Sequence, residues 1–330
     1  MVTLMSVTPL VPIVSETAAA TRLAAARLAG HADHTPLKRS HFLSDAVCAE
    51  VWCKLENRQT TGSFKLRGAT NRLLTLTDEQ RARGCVAASS GNHGAAVACA
   101  MQRLGVKGTI FVPHGTSPLK VDKVLGFGAA VEFFGDDGLD TEEHARAFAD
   151  EHGMVFLSPY NDEEVIAGQG TCGLEIVEDL PDVDVVFVAV GGGGLIGGVG
   201  AALKTHNPAI RVIGCQPAAS PVMMRSIEAG RVVDMPSEAT LSDGTAGGIE
   251  SDSVTFALNQ AVVDDWVEVG EEQIADAMRF YMDSEDDVIE GAAGVAIAGM
   301  LLQADGLAGK KVVIIICGGN VSEDVLAGIR

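Results

Sequence analysis

The stretch TGSFKLRGA, residues 61–69, sets a single cation, Lys65, between the aromatic Phe64 and a run ending in small residues. On a solvated helix face such a lysine would do no chemistry. Held in an apolar pocket it would, because burial disfavours its charged form and leaves the amine free to attack a carbonyl. Three glycine-bearing loops lie further along the chain, SSGNHG (89–94), GGGGL (191–195) and CGGN (317–320), and each follows a run that reads as a strand. In the first, backbone N–H groups at a helix N-terminus, with Ser and Asn side chains, can receive a carboxylate or a phosphate. In the second, four successive residues lack a Cβ just where a helix begins, so a ligand's oxygens can reach the amides. A dinucleotide would need an acidic residue at the end of the next strand, and Gln216 stands there; no GxxxxGK[ST] stretch is present either. A single phosphate fits better. In the third loop the thiol of Cys317, at a strand's carboxyl end, points into the usual ligand crevice of an open α/β sheet, although a buried structural cysteine would look the same.

One phosphate, a lysine that must react and a small carboxylate substrate are together met by pyridoxal phosphate acting on an amino acid. The elements that must bring these loops together are apolar β-branched runs alternating with helix-patterned stretches, the mark of βα units around a largely parallel sheet. GCVAAS (84–89), GTIFVP (108–113), AAVEFF (129–134), DVVFVAV (184–190), IRVIGC (210–215) and KVVIIIC (311–317) read as strands. NHGAAVACAMQRLG, LKVDKVLGFG, LDTEEHARAFADEHG and LIGGVGAALKTH read as helices, several ending on a capping Gly. Three strand–helix units at 84–157 form a small domain, set inside a larger α/β domain made of 1–83 and 158–330.

Composition agrees with an α/β enzyme: 330 residues, 47% hydrophobic but only 5% aromatic, with 38 glycines. A formal charge of −20 argues against nucleic acid or an anionic membrane as partner. No run of about 18 apolar residues and no signal-like N-terminus is present, and the seven cysteines lack ligand or disulfide spacing, so a cytoplasmic protein is expected.

SFKLRGA, SSGNHG, VIAGQGT (165–171), GGGGL and CGGN, in this order, resemble the fold-type II pyridoxal-phosphate enzymes, in particular the threonine/serine dehydratase and serine racemase group. The resemblance runs from about residue 35 to the C-terminus, and five ordered motifs are far more specific than any one loop. It implies a two-domain fold like that of the tryptophan synthase β chain, each domain an open, mostly parallel sheet flanked by helices, in a homodimer. It also implies that Lys65 carries the cofactor as a Schiff base and that Phe64 packs against its ring. Asn92 would meet the ring's 3′ oxygen, Gly191, Gly192, Gly193, Gly194 and Leu195 the phosphate, and Cys317 the pyridine nitrogen. The substrate carboxylate would lie on Ser89, Ser90, Asn92 and His93, with Ser90 matching the racemases' second acid/base opposite Lys65.

The implied reaction is loss of a Cα proton to Lys65 and of the Cβ hydroxyl, turning threonine, serine or a related 3-hydroxy amino acid into a 2-oxo acid and ammonia. A racemase of the same fold is the alternative. A catalytically silent binding protein on this scaffold is a third reading, which an intact Lys65 disfavours. No metal site is expected, since Gln216 and Val222 stand where related racemases carry acidic ligands. Tyr160 replaces a polar amide on the substrate side, and the segment 241–253 is unusually rich in glycine.

Overall fold

In the computed structural model, which describes residues 11–329, ten strands form two sheets. The first ten residues, which carry the start of the stretch read as lacking a signal sequence, lie outside the described residues. In chain order the strands are β1 (Leu37–Ser40), β2 (Glu50–Lys54), β3 (Cys85–Ala88), β4 (Gly108–Val112), β5 (Ala130–Phe133), β6 (Val155–Phe156), β7 (Val185–Ala189), β8 (Arg211–Pro217), β9 (Asp265–Val269) and β10 (Lys311–Ile315). One sheet has six strands in the order β1-β2-β10-β7-β8-β9, and the other has four in the order β5-β4-β3-β6. Every pairing is parallel except β1 with β2. The fold is therefore α/β, as the alternating apolar runs require. The six strands read from sequence all appear, trimmed by a residue or two at most ends, with β8 running on to Pro217. β1, β2, β6 and β9 are additions.

The strand order does the work of assembly. β10, last in the chain, inserts between β2 and β7, with Val313 level with Trp52 on one side and Val186 on the other. All three strands run the same way, so the loops that follow them emerge at one edge. These are the Lys65 segment after β2, GGGGL after β7 and CGGN after β10. The joint is hydrogen-bonded: Phe64 N donates to Cys317 O at 3.1 Å, and Ser63 bridges Gly318. SSGNHG follows β3 in the other sheet and faces the same opening.

Each sheet carries its own core. Val186, Phe187, Ile213, Val313 and Ile314 are buried in the six-stranded unit, with the helix Gly291–Leu302 packed on them. Cys85, Ala87, Ile110 and Val112 are buried in the four-stranded unit against the helix Asn92–Leu104.

The helix that starts at Lys65, Lys65–Leu74, is pressed against the helix Glu163–Asp179 through paired glycines. A Cβ on Gly168 would stand 2.6 Å from Gly68 Cα and 2.8 Å from Arg67 O, so the VIAGQGT stretch needs glycine here to let two backbones touch. Ala at 168 gains helix propensity of about 1 kcal/mol, but overpacking against backbone costs roughly 1–3 kcal/mol. Gly168→Ala is expected to be net destabilising by about 1–2 kcal/mol in urea unfolding. Gly126→Ala, in an exposed helix position with nothing within 4 Å, is the control and should be neutral or slightly stabilising. A stable Gly168→Ala protein would show that this contact does not constrain the helix.

Candidate active site

Lys65 is the first residue of its helix, and its ammonium is turned inward. Nζ donates to Pro159 O at 2.8 Å and lies 5.3 Å from the centroid of the Phe64 ring. Burial lowers its pKa to about 8, with Cys317 and Glu290 opposing that shift. Two other lysines are as deeply placed. Lys54 Nζ sits 2.6 Å from Glu175 and Lys204 Nζ 2.6 Å from Asp264, so each has a carboxylate to hold its charge. Lys65 has a carbonyl instead.

GGGGL bends into the helix Gly194–His206. Gly193 has φ +83°, a left-handed conformation open to glycine, and turns the chain so that the helix's first N–H groups face the opening. Thr255 Oγ1 holds the loop from behind through Gly192 O at 2.6 Å. The Tyr160 ring covers Gly192, and its hydroxyl accepts from Glu250 N at 2.9 Å. Beside Gly193 lies the carboxamide of Asn259, buried with neither its oxygen nor its nitrogen partnered, and the hydroxyls of Ser63 and Thr61 are also buried without a partner. Free amides at a glycine turn, with the unspent Asn259 carboxamide against Gly193, are what a phosphate dianion requires. These residues fit such a group.

On the opposite wall, Ser89 Oγ accepts from Gly91 N at 3.2 Å, and Ser90 is half-buried on the same loop. The N–H groups of Asn92, His93 and Gly94 open the helix Asn92–Leu104. The His93 ring is turned away from this opening: it is buried, pairs through Nε2 with Leu157 O at 2.8 Å, and is held neutral by burial, its pKa down to about 3. Its side chain is thus that of a satisfied helix-cap histidine, and only its backbone N–H is offered to a carboxylate.

Asn92 brings in a residue that sequence reasoning missed. Its Nδ2 donates to both oxygens of Glu290, at 3.0 and 2.9 Å, and its Oδ1 accepts from Asn320 Nδ2 at 2.6 Å. Glu290 is buried, and burial raises its carboxyl to about 7. It also lies 3.9 Å from Cys317 Sγ. Burial, with Glu290 adding to it, pushes the Cys317 thiol well up, so it stays neutral. Asn320 accepts through Oδ1 from Lys123 Nζ, which also reaches Thr61 O at 3.2 Å. The only signal for Glu290 in the sequence is an acid placed directly before the small-residue run GAAG; Asn320 lay inside CGGN without a role.

The geometry thus gathers an amine whose pKa burial lowers, an anion cradle, a carboxylate-sized helix terminus and a neutral thiol around one opening. A family model described as pyridoxal-phosphate dependent enzyme matches residues 14–318. An L-threonine ammonia-lyase from Thermotoga maritima is 45% identical over 292 residues, covering 88% of this chain and 72% of that protein. Among solved structures, the processed form of threonine deaminase isoform 2 from Solanum lycopersicum superposes with a TM-score of 0.91 at 33% identity, covering 95% of this chain and 92% of that one. Maize serine racemase gives 0.88 at 32%, covering 94% and 95%. The chain belongs to the fold-type II pyridoxal-phosphate-dependent enzymes, in the group of threonine/serine dehydratases and serine racemases.

Proposed function

We infer that this chain is a pyridoxal-phosphate-dependent ammonia-lyase that converts a β-hydroxy amino acid, L-threonine, L-serine or a related 3-hydroxy amino acid, to a 2-oxo acid and ammonia. The observation that carries the reading is the buried Lys65 amine, which lacks a carboxylate partner and opens onto the glycine cradle. Similarity to an L-threonine ammonia-lyase and a threonine deaminase supports the substrate class.

In this reading Lys65 holds the cofactor covalently and Phe64 packs on its ring. The amides of Gly191 to Leu195, with Asn259 and Ser63 behind them, take the phosphate. Asn92 faces the ring oxygen, and Cys317 the ring nitrogen. Bound there, pyridoxal phosphate supplies an electron sink for the charge left when a Cα proton departs. Ser89, Ser90 and the N–H groups of Asn92 and His93 hold the substrate carboxylate at the helix terminus, which orients the Cα–H bond toward Lys65. Once the substrate's amino group has displaced it from the cofactor, Lys65 Nζ would be free, and the part of its population that is neutral near pH 7 would take that proton. The uncharged Cys317 brings no negative charge to the ring nitrogen, which favours prompt loss of the Cβ hydroxyl over long storage of the carbanion. Ser90, half-buried on the loop that the resemblance to racemases sets across from Lys65, supports a second reading, racemisation, because inversion needs an acid/base on each face. The small domain is 84–157 within a large domain of 1–83 and 158–330, and the opening lies between them. The reading extends to a cytoplasmic homodimer, for which seven unpaired cysteines suit a reducing compartment and light scattering measures the assembly.

Lys65→Ala should lower ammonia release from threonine or serine by at least about 10²-fold, and borohydride reduction followed by peptide mapping should place the cofactor on Lys65. Label on Lys54 would overturn the assignment. Cofactor uptake by the apoprotein should accelerate as pH rises and level off just above about 8, where the Lys65 amine is neutral. Stopped-flow rates that keep climbing to about 10, as for an ordinary lysine, would remove the case for a tuned amine. Ser90→Ala should abolish any racemisation while leaving elimination from the L-substrate largely intact; equal loss of both would make Ser90 a carboxylate ligand only.

A further inference from the structure

Between Lys123 and Glu290 the two amides of Asn320 and Asn92 form an unbroken polar chain. Lys123 Nζ donates to Asn320 Oδ1, Asn320 Nδ2 donates to Asn92 Oδ1 at 2.6 Å, and Asn92 Nδ2 donates to Glu290 at 2.9 and 3.0 Å. The ends differ in kind from the middle. An ammonium can only donate, and Glu290 accepts from Asn92 Nδ2 on both its oxygens, whereas a carboxamide donates and accepts and can be turned over. With the ends so chosen, both amides have one permitted direction: oxygen toward Lys123, nitrogen toward Glu290. Turning Asn92 over would set its oxygen against a buried carboxylate, leaving acceptors facing each other without a hydrogen, at a cost of about 1–3 kcal/mol.

Besides Asn92, the Glu290 side chain meets the Cys317 thiol at 3.9 Å. Glu290 is the N-cap residue of the helix Gly291–Leu302, yet its side chain makes no capping bond there. Its backbone N–H is tied to Gly318 O at 3.1 Å, which fixes the carboxyl beside CGGN. The chain also crosses the opening repeatedly. Lys123, on the helix Pro118–Gly126, and Asn92 belong to the four-stranded unit, while Asn320 and Glu290 belong to the six-stranded one.

We propose that Lys123, whose ammonium can only donate, and Glu290, whose two oxygens meet Asn92 Nδ2, are positioning residues that orient Asn92, through Asn320, so that an N–H and not the carbonyl faces the ring oxygen of the cofactor. This rests on the reading that Asn92 meets that oxygen. Nδ2 carries two hydrogens; Glu290 draws one, shared between its two oxygens, and the other remains for the ligand. Because the four side chains alternate between the two units, the direction is set only while the opening is closed. A loosened small domain would release the amide.

The test uses the reconstituted holoenzyme and two readouts other than turnover: the absorption spectrum of the bound cofactor, whose balance of yellow and near-ultraviolet forms reports hydrogen bonding at the ring oxygen, and the cofactor's dissociation constant. Lys123→Met and Glu290→Gln should each shift the spectrum toward the near-ultraviolet form and weaken cofactor binding roughly three- to tenfold. Lys123→Arg, still only a donor, should restore the parent spectrum. In an Asn92→Ala background, Lys123→Met should produce no further shift. A Lys123→Met shift of the same size in that background would overturn the proposal, since the lysine would then act without Asn92. If Asn92→Ala shifts the spectrum but Lys123→Met and Glu290→Gln do not, the relay fails while the reading of Asn92 stands. If Asn92→Ala leaves the spectrum unchanged, both fail. Glu290→Gln is nearly isosteric and Lys123 is only half-buried, so thermal melts confirm that each variant is folded before the spectra are compared.

Discussion

Everything at this opening depends on a buried cluster of four charges just behind it. Arg67, two residues past Lys65, is almost wholly buried and forks onto Glu56 with two bonds of 2.8 Å and onto Glu175 at 2.5 and 2.7 Å. Lys54, also fully buried, holds Glu175 at 2.6 Å and Thr35 O at 2.6 Å, and Thr35 returns a hydroxyl to Glu56. Two cations and two anions cancel, and nearly every donor is used. Each charge alone would be costly to remove from water, and removing one partner from such a set costs about 3–5 kcal/mol. The cluster joins the end of β2, the turn Glu56–Arg58, the Lys65 helix and the helix Glu163–Asp179. With the glycine contact at Gly168, it leaves the Lys65 helix one place to sit.

Partners also separate Lys65 from Lys54 and Lys204. Lys54 and Lys204 are buried with carboxylates, and their charge is structural. Lys65 lies half-buried against a backbone carbonyl and an aromatic ring, and desolvation outweighs the opposing influence of Cys317 and Glu290, so its proton is held more loosely. The same term acts on the rest of the wall. It holds His93 neutral, keeps the Cys317 thiol protonated and brings Glu290 close to neutrality. With Glu290 only partly ionised and the Cys317 thiol protonated, a dianionic ligand meets little repelling negative charge on this wall.

How much of this was legible in the sequence follows from the same physics. β3, β4, β7, β8 and β10 are dominated by apolar residues because parallel strands are covered on both faces, and they could be read directly. β1, LKRS, is an edge strand with two exposed residues, and β9, DWVEV, is the opposite edge with half-buried polar positions. Neither carries a continuous apolar run. β2 is central, yet EVWCK looks polar because Lys54 is buried by ion pairing rather than by being apolar. The loops that follow strands announced themselves through glycine and their place. Glu290, Lys123, Asn259 and Asn320 did not, because their meaning lies in contacts between distant segments that local pattern does not encode. His93 shows the converse: a polar residue in the right motif whose ring is spent on Leu157 O.

The opening between the two sheets is closed by interactions of a different strength from those that build its walls. Arg146 reaches Glu250 at 3.0 Å and Lys120 reaches Asp243 at 3.6 Å, both at partly exposed positions. Such pairs are worth about 0–1 kcal/mol each and are screened by salt. Tyr160 and Asn161 add hydrogen bonds to the same segment, Tyr160 Oη accepting from Glu250 N and Asn161 Nδ2 donating to Glu250 Oε2 at 3.0 Å. Weak ties at the rim and a charge cluster of several kcal/mol behind the lysine divide the labour. The Lys65 helix is held in place, whereas amino acid must enter and 2-oxo acid must leave on every turnover. A rim built as strongly as the floor would trap product, and a floor built as weakly as the rim would let Lys65 find water and recover its charge.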